Sequence, residues 1–164
     1  MRARSAGAAL VCAALACAAP ASGHVVLKAK QAPAGSDYAG VFVVEHGCDG
    51  SPTKRLGVRM PDGVADVRPA DKAGWKVSAS QASAASGARI GEVVWLGGLL
   101  APDRPGEFAV AMRLPDTPGV TLYFRAMQEC ERGIFRWTEI PLPGELPGNS
   151  RFPAAPLRLL PASR

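Results

Sequence analysis

The chain has 164 residues, with 19 Lys and Arg against 14 Asp and Glu for a formal net charge of +5, and that length makes one domain the default. The basic residues are scattered and aromatics make up only 6% of the chain, so composition argues against a nucleic-acid partner, which would need a basic stripe or a stacking platform. The 18 glycines and 15 prolines disfavour long helices and suit short strands joined by turns.

Residues 1–23, MRARSAGAALVCAALACAAPASG, read as a signal peptide. Arg2 and Arg4 form a short positive end, and Ala8 to Ala19 is an apolar run. The run is too short to cross a bilayer, which needs ~20 apolar residues. Ala21-Ser22-Gly23 supplies small residues for a cleavage site. The expected product begins at His24, is periplasmic or secreted, and has no membrane span. Loss of the two leader arginines leaves 17 basic against 14 acidic residues, a net +3. Two rival readings are a short buried helix and a lipoprotein leader using Cys17. The second would leave His24 internal, and Ala14 stands where its pattern wants a larger aliphatic residue.

From His24 onward the chain reads as strands in succession. His24 to Lys30 is a strand that starts at the cut, and Ala34-Gly35-Ser36-Asp37 is a turn. Tyr38 to Glu45 is rich in strand formers, and His46 to Thr53 (HGCDGSPT) is loop. Arg55 to Met60 alternates, with Leu56, Val58 and Met60 on one face, and Val64 to Arg68 is another short strand. Further strands are expected at 74–78 and 90–96, separated by an Ala/Ser-rich hairpin loop at 81–87. Gly97 to Pro105 reads as a Gly/Pro loop. Glu107 to Leu114 sets Phe108, Val110, Met112 and Leu114 on one face, and 120–128 and 135–140 are the last two strands. The prediction is an all-β chain: an antiparallel β-sandwich of about nine short strands over 24–141, followed by an irregular Pro-rich tail at 142–164.

Cys12 and Cys17 leave with the leader, so Cys48 and Cys130 remain. In an oxidising compartment a lone pair in a small domain reads as one disulfide. Closing so long a loop contributes up to about 4–5 kcal/mol. The rival is a soft copper or zinc site made by both thiolates, although only His46 lies near either cysteine.

The exported chain carries two histidines, His24 and His46. A histidine at a new N-terminus offers two nitrogens, its free α-amine and its ring Nδ1. The amine, with an ordinary pKa of about 8, loses its proton readily near neutral pH. Nitrogen donors in a plane suit Cu(II). Uncut, His24 is an ordinary residue at a strand start.

His24-Val25 after a cleavable leader, Ala34-Gly35-Ser36, the loop HGCDGSPT at 46–53, Pro69 with Gly74-Trp75, Val94-Trp95, Glu107-Phe108, Leu114-Pro115-Asp116, and Gln128-Glu129-Cys130 with Gly133 and Trp137 occur in order over 24–141. Together they resemble the YcnI-like copper-binding family of secreted bacterial β-sandwich domains. The resemblance implies a Cu(II) site in which the N-terminal histidine gives amine and ring, an acid completes the sphere, and a tryptophan lies beside the metal. Carried across, these are His24, a carboxylate for which Glu107 is the first choice and Glu129, Glu131 and Glu139 the runners-up, and Trp137. The resemblance also places a disulfide loop at Cys48. His46 then stands as a partner close to the metal or a weak second site. Trp75 and Trp95 are assigned to the core or to the surroundings of the metal. Met112 and Met127 are soft enough for Cu(I), and Met112 sits on an apolar face.

The expected function is a non-catalytic copper chaperone or scavenger outside the cytoplasm. Its partners are the copper ion and other periplasmic copper chaperones or a membrane copper transporter. A copper monooxygenase is the alternative enzyme; it would need a second histidine and a flat aromatic surface. A metal-free interaction sandwich is the third reading. No GxSxG or HExxH motif occurs.

Overall fold

Residues 24–82, 89–142, 144 and 150–162 are described by a computed structural model; the expected leader at 1–23 and most of the segment at 81–87 lie outside the described residues. The described chain is all β. Its strands are β1 Val25–Leu27, β2 Gln31–Pro33, β3 Asp37–Val44, β4 Thr53–Arg59, β5 Ala65–Pro69, β6 Lys76–Ala82, β7 Arg89–Leu100, β8 Gly106–Arg113, β9 Thr121–Phe124, β10 Ala126–Cys130, β11 Ile134–Trp137 and β12 Ala155–Leu160. Alternation drives them. In β8, Phe108, Val110 and Met112 are buried while Glu107, Ala111 and Arg113 face solvent, the two-residue period of a strand with one wet face.

The strands form three sheets, ordered β1-β3-β8-β5, β11-β10-β4-β7-β6 and β2-β12-β9. The pairings are antiparallel except β2 with β12. Their inner faces share one core. Phe42 and Phe108 come from the first sheet, Leu56 and Trp95 from the second, and Phe124, Leu157 and Leu159 from the third; all seven are fully buried. This is the expected antiparallel β-sandwich.

Three expectations are corrected. The single strand at 120–128 is two. Arg125 falls between β9, which pairs with β12, and β10, which pairs with β4 and β11, so the chain crosses from one sheet to another there. The loop expected from Gly97 is strand as far as Leu100. Trp75 covers Gly98 so closely that a Cβ at that position would stand 2.1 Å from its indole, and the same indole meets Phe108 edge-on at 5.1 Å. The third correction concerns the tail. Ala155, Leu157 and Leu159 are buried in alternation, and β12 completes the core. Pro156 fits because β2 pairs only from Arg158 onward, so the edge opposite β9 is open where the N–H is missing.

Candidate metal centre

The centre is built where β1 meets the end of β3. The ladder Val25↔Val44, Val26↔Val43, Leu27↔Phe42 extends one step further, because the Glu45 N–H donates to the His24 carbonyl at 3.2 Å. Residues opposite each other in such a ladder project their side chains to one face. His24 Nδ1 accordingly lies 3.8 Å from Glu45 Oε2, with both side chains partly open to solvent. From the second sheet, Trp137 closes on the other flank, its ring centroid 5.8 Å from the His24 ring and inclined at 45°.

Trp137 is held firmly. It is 2% exposed and packs against Phe135 at 5.7 Å and Phe152 at 5.4 Å. Its indole N–H donates to Gln128 Oε1 at 3.1 Å. The Gln128 amide in turn donates to the His46 carbonyl and to Thr53 Oγ1, both at 2.8 Å. Indole has only this one polar hydrogen. With it engaged by Gln128, Trp137 offers His24 ring carbon, a water-excluding wall beside two polar side chains. Next to them opens a cavity of about 570 Å³, lined by His24, Glu45, Lys30, Tyr123, Pro153 and Arg158 among others.

Among the described residues, no group of three or more His, Cys, Asp or Glu side chains is placed to hold a metal ion. His24 and Glu45 are a pair. Nitrogen and oxygen ligands bind first-row divalent ions such as zinc at about 2.0–2.2 Å, so two donors on one ion stand roughly 3–4 Å apart. The His24–Glu45 separation of 3.8 Å falls in that window. A third donor from the same residue, an α-amine on His24, would turn the pair into a chelating set that suits Cu(II).

Glu107 does not share this place. It lies on β8 and pairs with Val43 of β3, two strands across and two residues along from His24, which separates the backbones by roughly 12 Å. Its carboxylate is bound by Lys28 Nζ at 2.8 Å. The runners-up are also engaged or distant: Glu129 pairs with Lys54 at 3.0 Å, Glu139 accepts the Phe152 N–H at 3.1 Å, and Glu131 is exposed next to Cys130. The carboxylate brought to His24 is Glu45, which reading the residues one by one had missed.

His46 follows Glu45 directly, and consecutive side chains of extended chain point to opposite faces. Its Nδ1–H donates to the Gly47 carbonyl at 2.7 Å, and its Nε2 is buried without a partner. Cys48 and Cys130 form the disulfide, with Cα atoms 6.0 Å apart, so their thiolates are not available to a metal. Trp95 is fully buried and Trp75 packs on Phe108; neither adjoins His24. Met112 is core, whereas Met127 is half-buried on the outer face of β10.

A family profile described as "Domain of unknown function (DUF1775)" matches residues 24–159. The chain belongs to this family. The match agrees with the YcnI-like resemblance and begins at the histidine of the site. An uncharacterized protein from Nocardia farcinica, whose crystal structure reveals an immunoglobulin-like fold, is 22% identical to this chain. The match covers 84% of this chain and 98% of that one, with a TM-score of 0.68, a likeness of fold. No curated protein matches.

Proposed function

We propose that this DUF1775 chain is an exported Cu(II)-binding protein, and that the ion sits between His24 and Glu45 against Trp137. The observation that carries the reading is the convergence of those three side chains at one end of the sandwich. The amine freed by cleavage after Gly23 and the ring Nδ1 chelate the ion from one residue. Glu45 offsets one of its two charges. Trp137 excludes water from one flank and is itself no ligand.

The role is to bind and carry copper in copper homeostasis, without turnover. Two features favour this over a monooxygenase. The other histidine, His46, has its Nδ1 engaged with the Gly47 carbonyl and its Nε2 buried, and the cavity beside His24 is lined half by Pro, Ala and Val, with Tyr123 as the one Phe, Tyr or Trp among its lining residues, unlike a flat aromatic platform.

The test is a Cu(II) titration followed by electron spin resonance, on protein beginning at His24 and on protein retaining Gly23. Blocking the amine should weaken binding by about 100-fold or more, the scale of one lost charge-assisted ligand contact. Equal binding by the two forms overturns the proposal. Glu45→Gln should weaken binding at least about tenfold, with Glu107→Gln close to the parent; the reverse order would move the site to Glu107.

A further inference from the structure

A hollow opens where two sheets meet without pairing. β1 belongs to the first sheet and β12 to the third, and no ladder joins them. Just past β1 the seam is tied, where the Arg158 N–H donates to the Lys30 carbonyl at 2.9 Å. Nearer His24, Pro156 has no N–H to offer across it. The cavity of about 570 Å³ beside His24 follows this seam, and its volume falls within the roughly 300–1,000 Å³ of small-molecule sites.

The two ends of the cavity differ. His24 and Glu45 stand at one, and Lys30 and Arg158 at the other; the chain from His24 to Lys30 spans up to roughly 20 Å. Thr121 lies opposite Arg158 in the β9–β12 ladder, which sets its hydroxyl on the same outward face. Between the ends the wall is apolar at positions that point outward. Val26 separates the buried Val25 and Leu27, Pro156 the buried Ala155 and Leu157, and Tyr123 the buried Leu122 and Phe124. Tyr123 and Pro156 are partners in the ladder, and Pro153 extends the wall. Outward strand positions that meet only water are ordinarily polar. Among the described residues neither Lys30 nor Arg158 is held in an ion pair. Other surface cations share that property; what distinguishes these two is the apolar wall they border.

We infer that this cavity binds a small organic acid: one carboxylate on a compact apolar body. The Arg158 guanidinium presents paired N–H donors that match a carboxylate, and Lys30 adds a second charge beside it. The body of the acid covers Val26, Pro156 and Tyr123, which takes apolar surface out of water on both partners. Glu45 fixes the orientation, because it repels the carboxylate and leaves the apolar end of the ligand toward His24. The site needs no metal and does not depend on the copper reading.

The test titrates the protein, with no metal added, with hexanoate by calorimetry, against acetate, hexanol and hexylammonium at matched ionic strength. Saturable binding of hexanoate is expected, with each comparator at least about tenfold weaker. Lys30→Gln and Arg158→Gln should each weaken hexanoate about tenfold, whereas Arg158→Lys should stay within a few-fold of the parent. Val26→Ser should weaken it several-fold. Lys30 and Arg158 are exposed, so their variants should melt close to the parent, and circular dichroism checks this. Acetate or hexanol binding as tightly as hexanoate, tighter hexylammonium, or indifference to both the Lys30 and the Arg158 variants would each overturn the inference.

Discussion

Gln128 is the joint between the disulfide loop and the Trp137 wall of the candidate metal centre, and replacing it by leucine tests that joint. Gln128 is 1% exposed. It accepts from the Trp137 indole and donates to the His46 carbonyl and the Thr53 hydroxyl. Leucine keeps much of the volume and none of the polarity. Thr53 retains its contact with Cys130 Sγ at 3.7 Å, so two groups are stranded: the indole N–H and the His46 carbonyl. A buried polar group left unpaired costs about 1–3 kcal/mol, so Gln128→Leu, which strands two, should cost about 2–6 kcal/mol. For a domain near this size that lowers the melting temperature by roughly 5–15 °C. Thermal unfolding followed by circular dichroism reads the cost. A companion cycle in a Trp137→Phe background isolates the bond, since phenylalanine has no N–H to strand. There the penalty should shrink by about 1–3 kcal/mol. If Cu(II) binds as proposed, its electron spin resonance spectrum in Gln128→Leu should broaden as the tryptophan loses its fixed orientation beside His24. A melting temperature within ~1 °C of the parent, below ~0.5 kcal/mol at this size, would refute the reasoning. So would an undiminished penalty in the phenylalanine background.

Leu157 is fully buried on β12, so Leu157→Ala should cost about 2–5 kcal/mol in urea unfolding; a cost near zero would mean that β12 does not complete the core. Tyr38 donates to the Ala29 carbonyl at 2.6 Å, and burial raises its pKa above the ordinary 10.0. The folded state therefore keeps this proton to higher pH than the unfolded chain does. Its contribution is fully present below about pH 10 and is lost as pH rises through the higher folded value. Tyr38→Phe should cost about 1 kcal/mol at pH 7 and flatten the alkaline decline, which urea midpoints from pH 7 to 11 would show. Removing the disulfide with Cys48→Ala and Cys130→Ala should lower stability by up to about 4–5 kcal/mol, given the 82-residue separation. Equal unfolding midpoints with and without the bridge would contradict that.

Much of this architecture is written locally. The alternation in Phe108, Val110 and Met112 marks β8 without reference to any other strand, and the same pattern marks β3 and β4. Ala155, Leu157 and Leu159 carried the same signal, which the surrounding prolines obscured. Trp137 came by resemblance, and its setting came from the fold: Phe135, Phe152 and Gln128 fix it where β11 approaches His24.

The choice of acid shows where local reading ends. Glu45 and Glu107 both stand at strand ends among apolar residues, and nothing in their neighbours separates them. The pairing does. Every β1–β3 pair is centred on the Ala34–Gly35 peptide, so folding the two strands symmetrically about that turn sets His24 opposite Glu45. That signal lay in the sequence and required knowing which strands pair. A strand's period of two is set by its own backbone, so one segment suffices to show which residues face inward. Which outward residues become neighbours depends on register and strand order, set by contacts between distant segments. His24 was therefore legible as a candidate ligand from its place after the expected leader, while Glu45 and Trp137 came together beside it only in the folded sandwich.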